Sequence, residues 1–336
     1  MKFIRIAIIV SLMWASLSSP GWAQASDISE KLARLRQTLT TIQLSEEDAK
    51  SYASRLKQAE DALAAGYLFL SLYQMQSAWV RLNAQASQLS KAEIAKQGNQ
   101  VYEREWQRFD HERASKEKLF TPAAARSLPA SVTALLQVSR WQSRPYAQSG
   151  KLYGYNTSLD FGYYYMGLAE GNIEFALFCQ QLRFSQPRTP VRFASLSGAL
   201  SELEKTTIAA YGQAGGKDQP RYIEINSTLK LASELQQAGW REGAWHKYLE
   251  AQMLFGLLTM AAPAPDEQAK VKAELATADA RFKADPRDHS IGLLYLQLAQ
   301  MAMAEKEKNG DELKRAAVIA RQVLPRYFQQ IAEVKR

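Results

Sequence analysis

Cysteine is all but absent: Cys179 is the only one in 336 residues. No internal disulfide can brace the fold, so stability must come from a hydrophobic core. Proline and glycine are sparse as well, at 11 and 17, which excludes a collagenous or proline-rich low-complexity chain. Stretches of alternating apolar and polar residues are missing, and with them any basis for a sheet. No HExxH, no glycine-rich phosphate loop after a strand and no GxSxG elbow occurs. GQAGGK at 212–217 has the glycines of a phosphate loop without the strand or the spacing, and reads as a turn. His111, His246 and His289 are the only histidines, and Asp110, His111 and Glu112 are adjacent residues that point in different directions on a helix. The sequence therefore nominates no catalytic, cofactor-binding or metal-binding residue, and no cofactor.

Charge of one sign is also scarce. The formal net charge is +8, and the basic residues are interspersed with acidic ones, as in RLKQAED and DELKRAA, the pattern of solvated helix faces. A nucleic-acid partner would need clustered charge and is not expected. Peripheral contact with an anionic envelope surface fits the modest basic excess better. The longest apolar run, Ile6 to Leu17, follows Lys2 and Arg5 and precedes small residues, which is the layout of a cleaved secretory signal peptide over residues 1–25. It is shorter than the ~20 residues of a membrane span. The reading is an exported protein, periplasmic or extracellular, with no transmembrane span after cleavage.

What is present is helical periodicity. In Leu231–Leu258, the residues Leu231, Leu235 and Ala238 and then Ala244, Tyr248, Ala251, Phe255 and Leu258 recur at three and four, with Gly239 and Gly243 bracketing a turn. An α-hairpin this short cannot bury its apolar lines alone, so several must stack or wrap together. Ser45 with Asp48 marks a helix start, and Gly66 marks its end. A second hairpin is expected after Ser158, turning at Gly171 and Asn172. Cys179 falls among apolar neighbours in FALFCQQL and reads as a buried, inert thiol. The division this predicts is a helical region over 26–141, a loop or soft joint over 142–158 where RPYAQSGKLYGYNTS carries Pro145, two glycines and no helical period, and a helical-repeat region over 159–336.

Residues 283–325, KADPRDHSIGLLYLQLAQMAMAEKEKNGDELKRAAVIARQVLP, place Ala299 and Gly310 in a first helix and turn, and Ala317 and Ala320 on a second helix. This stretch resembles a tetratricopeptide-type hairpin, whose period is ~34 residues; EGNIEFALFCQQL and REGAWHKYLEAQ are similar in fainter form. The full family pattern is not met in any one unit. The fold class expected is all-α: an array of antiparallel helical hairpins forming a tetratricopeptide-like α-solenoid, with an irregular multi-helix bundle as the alternative. The resemblance implies a concave surface for a protein or peptide partner.

One local excess stands out. Aromatic and basic residues crowd 141–165, where three consecutive tyrosines, Tyr163 to Tyr165, cannot all face one core. Tyrosine and tryptophan supply large contact area with a polar tip, so Trp141, Arg144, Tyr153, Tyr155, Tyr163 and Tyr164 are the candidate partner-binding residues. The function expected is a scaffold or adaptor binding a protein or peptide in the cell envelope, without catalysis. The alternative is an envelope enzyme, or a small-ligand or glycan binder, with an aromatic groove.

Overall fold

The computed structural model describes residues 22–42, 44–88, 91–121, 128–156, 158–184, 189, 191–214, 218–304 and 310–333. The proposed signal peptide lies almost wholly outside these residues, as do the prolines at 187 and 190 and positions 215–217 of the expected turn GQAGGK; residues 212–214 of that expected turn are instead the end of a helix. Among the described residues the fold is all-α and contains no strand. The helices are α1 (Trp22–Thr41), α2 (Glu46–Ala64), α3 (Leu68–Ser87), α4 (Lys91–Glu117), α5 (Ala130–Asn156), α6 (Leu159–Gln181), α7 (Ser197–Ala214), α8 (Gln219–Gln237), α9 (Arg241–Thr259), α10 (Gln268–Ala284), α11 (Ser290–Ala304), α12 (Gly310–Val318) and α13 (Leu324–Glu333). A π-helical segment, Ile319–Val323, joins the last two. It ends two residues before Pro325, whose missing N–H and bulky ring an ordinary α-turn accommodates poorly.

α5 is the wall shared by two cores. Ala130, Ala134 and Val138, four residues apart, face a core built with α7 to α13 around Trp245, Tyr248 and Val318. Val132, Leu135 and Leu136, on its other side, face a core built with α1, α2, α3 and α6 around Leu56, Leu82 and Phe175. The start of α5 is tied down by the distant turn before α11. Asp288 Oδ2 accepts the amide of Ala130 at 2.6 Å, Asp288 Oδ1 accepts that of Ser290 at 2.9 Å, and Ser290 Oγ accepts that of Ser131 at 2.9 Å. One carboxylate thus satisfies orphan amides of two helices. Helices remote in sequence also meet: Leu294 of α11 packs with Ala62 of α2 and Leu70 of α3.

The expected loop over 142–158 is corrected. α5 runs as one 27-residue helix through Pro145, Gly150 and Gly154 to Asn156. An internal proline costs about 3 kcal/mol and each glycine about 1 kcal/mol relative to alanine, so local sequence does not hold this segment in a helix; packing does. α5 and α6 make the most extensive helix–helix contact of the molecule, and Tyr102 of α4 wedges against it. Its hydroxyl donates to Gly150 O, and a Cβ on Gly154 would lie 2.0 Å from its ring. A Cβ on Gly162 of α6 would lie 2.8 Å from Gly154 Cα, so these two glycines mark where the helices touch backbone to backbone.

The expected turn at Gly171 and Asn172 is corrected for a related reason. Both sit inside α6, which is continuous from Leu159 to Gln181. A Cβ on Gly167 would lie 2.6 Å from Ala84 Cα, and one on Gly171 would lie 2.9 Å from Val80 Cα, so these glycines admit α3 at close range. Among the described residues the glycine turns are at Gly66 and Gly239, each with φ of 78°, a left-handed conformation that glycine adopts freely. Gly243 lies in the first turn of α9, where its amide donates to Gln137 Oε1 of α5 at 2.7 Å. Cys179 is fully buried, and burial pushes its thiol far above the ordinary range.

Candidate functional site

The six aromatic and basic candidates do not form one surface. Trp141 packs edge-on against Trp240 at 5.5 Å, and its Nε1 donates to Glu234 Oε2 at 3.1 Å, joining α5 to α8 and α9. Tyr163 is buried in a small core with Tyr102, Phe109 and Met166, and its hydroxyl donates to Glu105 Oε2. Burial, and then that carboxylate, hold its phenol well above the ordinary value. Tyr153 stacks on Tyr165 at 4.9 Å with the rings nearly parallel. Tyr164 turns toward Val80, Ala84 and Leu168 at the α3–α6 contact. The three consecutive tyrosines therefore point three ways.

Arg144 and Tyr155 do come together, in a groove of about 850 Å³ between α4 and α5. Its floor is Trp106, whose indole N–H donates to Ala147 O at 3.4 Å and whose ring lies 4.6 Å beneath Lys151 Nζ. Glu117 Oε1 is shared by Arg140 at 2.7 Å and Arg144 at 2.8 Å, and Arg113 pairs with Asp110 at 2.9 Å. Lys118 and Lys151 make no ion pair among the described residues, leaving the groove mildly basic. Leu152, 59% exposed, and Tyr155 form an apolar lip. The aromatic excess of 141–165 pointed to Arg144 and Tyr155; Trp106, Arg113 and Leu152 were not identified, because their contribution requires α4 to lie along α5. Asp110, His111 and Glu112 share this helix, and the described residues contain no cluster of three potential metal ligands.

A second site is invisible in the sequence. Residues of α2, α3, α5, α6, α8, α9, α11 and α12 line a cleft of about 650 Å³ between the two cores. At its base Glu250 Oε1 accepts from the Tyr73 hydroxyl at 3.1 Å and Oε2 from Lys247 Nζ at 2.5 Å. Burial opposes ionisation of Glu250, but Lys247, His246 and the Tyr73 hydroxyl outweigh it and hold the carboxyl below its ordinary value. Behind this pair His246 is packed edge-on against Tyr73 at 5.6 Å. Tyr295 donates its hydroxyl proton to His246 O at 2.8 Å and lies 3.3 Å from His246 Nδ1. That arrangement assigns the imidazole proton to Nδ1. His246 Nε2 is buried and has no hydrogen-bond partner among the described residues. Burial lowers the His246 pKa to about 4, so the ring is neutral at physiological pH. The cluster is drawn from positions 73, 246, 247, 250 and 295, a spacing no sequence motif announces.

Among the described residues, no helix is long and apolar enough to cross a membrane. No family model matches the chain, and no curated protein or solved structure is significantly similar to it.

Proposed function

We propose that this protein is an exported scaffold or adaptor of the cell envelope, an array of helix pairs related to the tetratricopeptide type, that holds a protein or peptide partner without transforming it. The observation that carries this reading is the α4–α5 groove. It combines an aromatic floor, an exposed Leu152–Tyr155 lip and two lysines without an ion pair among the described residues, in a trough of about 850 Å³, large enough for several side chains of a bound segment. Its charge favours a segment carrying both acidic and apolar side chains. The leader pattern of residues 1–25 supports export.

The test is to replace Leu152 and Tyr155 with glutamate and recover partners by cross-linking and affinity capture from the native envelope. Leu152 is 59% exposed and Tyr155 36%, so the melting temperature should fall little while the partner recovered by the unaltered chain is lost. Recovery of the same partner at the same level would defeat the proposal.

An envelope enzyme or glycan binder is the second reading, favoured by Glu224 and Glu250 lining one cleft. General-acid catalysis of glycoside cleavage needs one carboxyl with a raised pKa. Glu250 is shifted the other way, so it would not serve as that general acid.

A further inference from the structure

The central cleft carries more positive charge than its neighbours neutralise. Arg55 of α2, Arg81 of α3, Lys247 of α9 and Arg315 of α12 line it, against the carboxylates Glu224 and Glu250. Lys247 is committed to Glu250. Arg55 donates only to the Ser77 hydroxyl, at 3.1 Å, and Arg55, Arg81 and Arg315 make no ion pair among the described residues. Arg55 and Arg315 arrive from helices far apart in sequence, yet both line this one cleft together with Tyr73. Elsewhere the molecule neutralises its guanidiniums where helices meet: Arg36 with Glu60, Arg321 with Glu267 and Glu274, Arg326 with Glu202. Like charges gathered in a concave, partly desolvated site repel one another and focus a field that draws anions. Amide and hydroxyl groups of Gln74, Gln142, Ser51 and Ser54 lie among them, beside an apolar wall that includes Leu168, Leu254 and Leu257. The amides and hydroxyls both donate and accept, which suits the alternating hydrogen bonds of sugar hydroxyls.

We propose that this cleft binds an anionic saccharide, its acidic group held by Arg55 and Arg315 and its hydroxyls by the surrounding amides and serines. The shared chemistry is a hydroxyl-rich anion, and a phosphorylated sugar or a uronic acid would each provide it. The site is separate from the α4–α5 groove and stands whether or not that groove binds a peptide.

Calorimetric titration of the full chain at fixed ionic strength with glucose 6-phosphate, galacturonate and glucose tests the idea. At least one of the two anionic probes should bind saturably, the better binder identifying the source of the negative charge, and glucose should not. Arg55→Gln with Arg315→Gln should weaken that binding at least about tenfold, since each hydrogen bond to a charged group contributes about 1.5–3 kcal/mol. Lys270→Gln with Lys272→Gln removes the same net charge from the exposed face of α10 and should leave binding unchanged. Without ligand, the arginine double variant should melt at or above the temperature of the parent, because it relieves repulsion and breaks no ion pair. The proposal is overturned by absence of saturation with both anions, by glucose binding as well as they do, or by equal loss in the lysine control. A ligand-free melting temperature several degrees below the parent overturns it as well, since it would show the two arginines to be structural.

Discussion

The α5–α6 and α8–α9 pairs are both rich in glycine and aromatics, yet Gly239 between α8 and α9 and four glycines of α5 and α6 serve opposite ends. In α8–α9, Gly239 stops one helix so that the next can begin, its left-handed backbone surrounded by open space. In α5–α6, Gly154, Gly162, Gly167 and Gly171 stop nothing; each lies inside a helix where another backbone or the Tyr102 ring arrives too close for a Cβ. The difference teaches that glycine within helical sequence marks either a turn or a contact. Only the partner helix decides which.

The largest expected effect tests the contact role. Tyr102 is 1% exposed and fills the junction of α4, α5 and α6, so Tyr102→Ala should cost about 3–5 kcal/mol in chemical denaturation. Gly154→Ala alone should cost about 1–3 kcal/mol by overpacking against that ring. In the Tyr102→Ala background the clash is gone, and Gly154→Ala should become neutral or stabilise by up to about 1 kcal/mol through helix propensity. The same penalty in both backgrounds would mean that the wedge is not why position 154 is glycine.

Much of the helical content was legible because it rests on local signals: the period of Leu231–Leu258, the Ser45–Asp48 start and the Gly66 stop each involve residues a few positions apart. The failures share one cause. The helix through Pro145 and the unbroken α6 are tertiary overrides of local preference, enforced by Tyr102, Val80 and Ala84 from helices remote in sequence. The same limit governs the sites. Arg144 and Tyr155 were reachable from composition, whereas the Tyr73–His246–Glu250 cluster depends on α3, α9 and α11 converging.

Acid sharpens the comparison next. The phenols that close the α5–α6 junction have raised pKa values and do not themselves change protonation below neutrality. α9 instead carries His246, neutral when folded with a pKa of about 4 against 6.5 when unfolded. Between those values the unfolded chain binds the extra proton. Its contribution is therefore intact above pH 6.5 and is lost as pH falls toward 4, by about 3 kcal/mol in all. Glu250, held below its ordinary value, adds loss in the same direction at lower pH. Hydrogen exchange at pH 5 should show α9 losing protection before α5 and α6, and His246→Gln should flatten the stability profile over this range. A profile unchanged by the substitution would show that the imidazole is not the group responsible.

The two kinds of glycine can then be compared directly. Gly167→Ala places a methyl 2.6 Å from the Ala84 Cα, which cannot step aside as a side chain would, and should cost about 1–3 kcal/mol. Gly239→Ala meets no atom and should cost about 1–2 kcal/mol, the strain of a left-handed alanine. Asparagine separates them: it tolerates the left-handed conformation at 239 and recovers part of that loss, while at 167 its larger side chain deepens the clash.

The smallest effect concerns two serines that the sequence makes look alike. Ser45 and Ser158 each precede a helix and have extended backbone. Ser45 Oγ accepts the amide of Asp48 at 3.1 Å, an N-terminal cap. Ser158 makes no such bond; its hydroxyl donates to the Asp160 carboxylate instead. Ser45→Ala should therefore cost about 1 kcal/mol, read as a downward shift of the denaturation midpoint at constant slope. Ser158→Ala leaves its helix's amides as they were and removes only a hydrogen bond to a nearby carboxylate, so its shift should be at most half as large. Equal shifts would mean that Ser158 caps α6 in solution, and that the α5–α6 connection is held by the same local device as the start of α2 rather than by the helix contact alone.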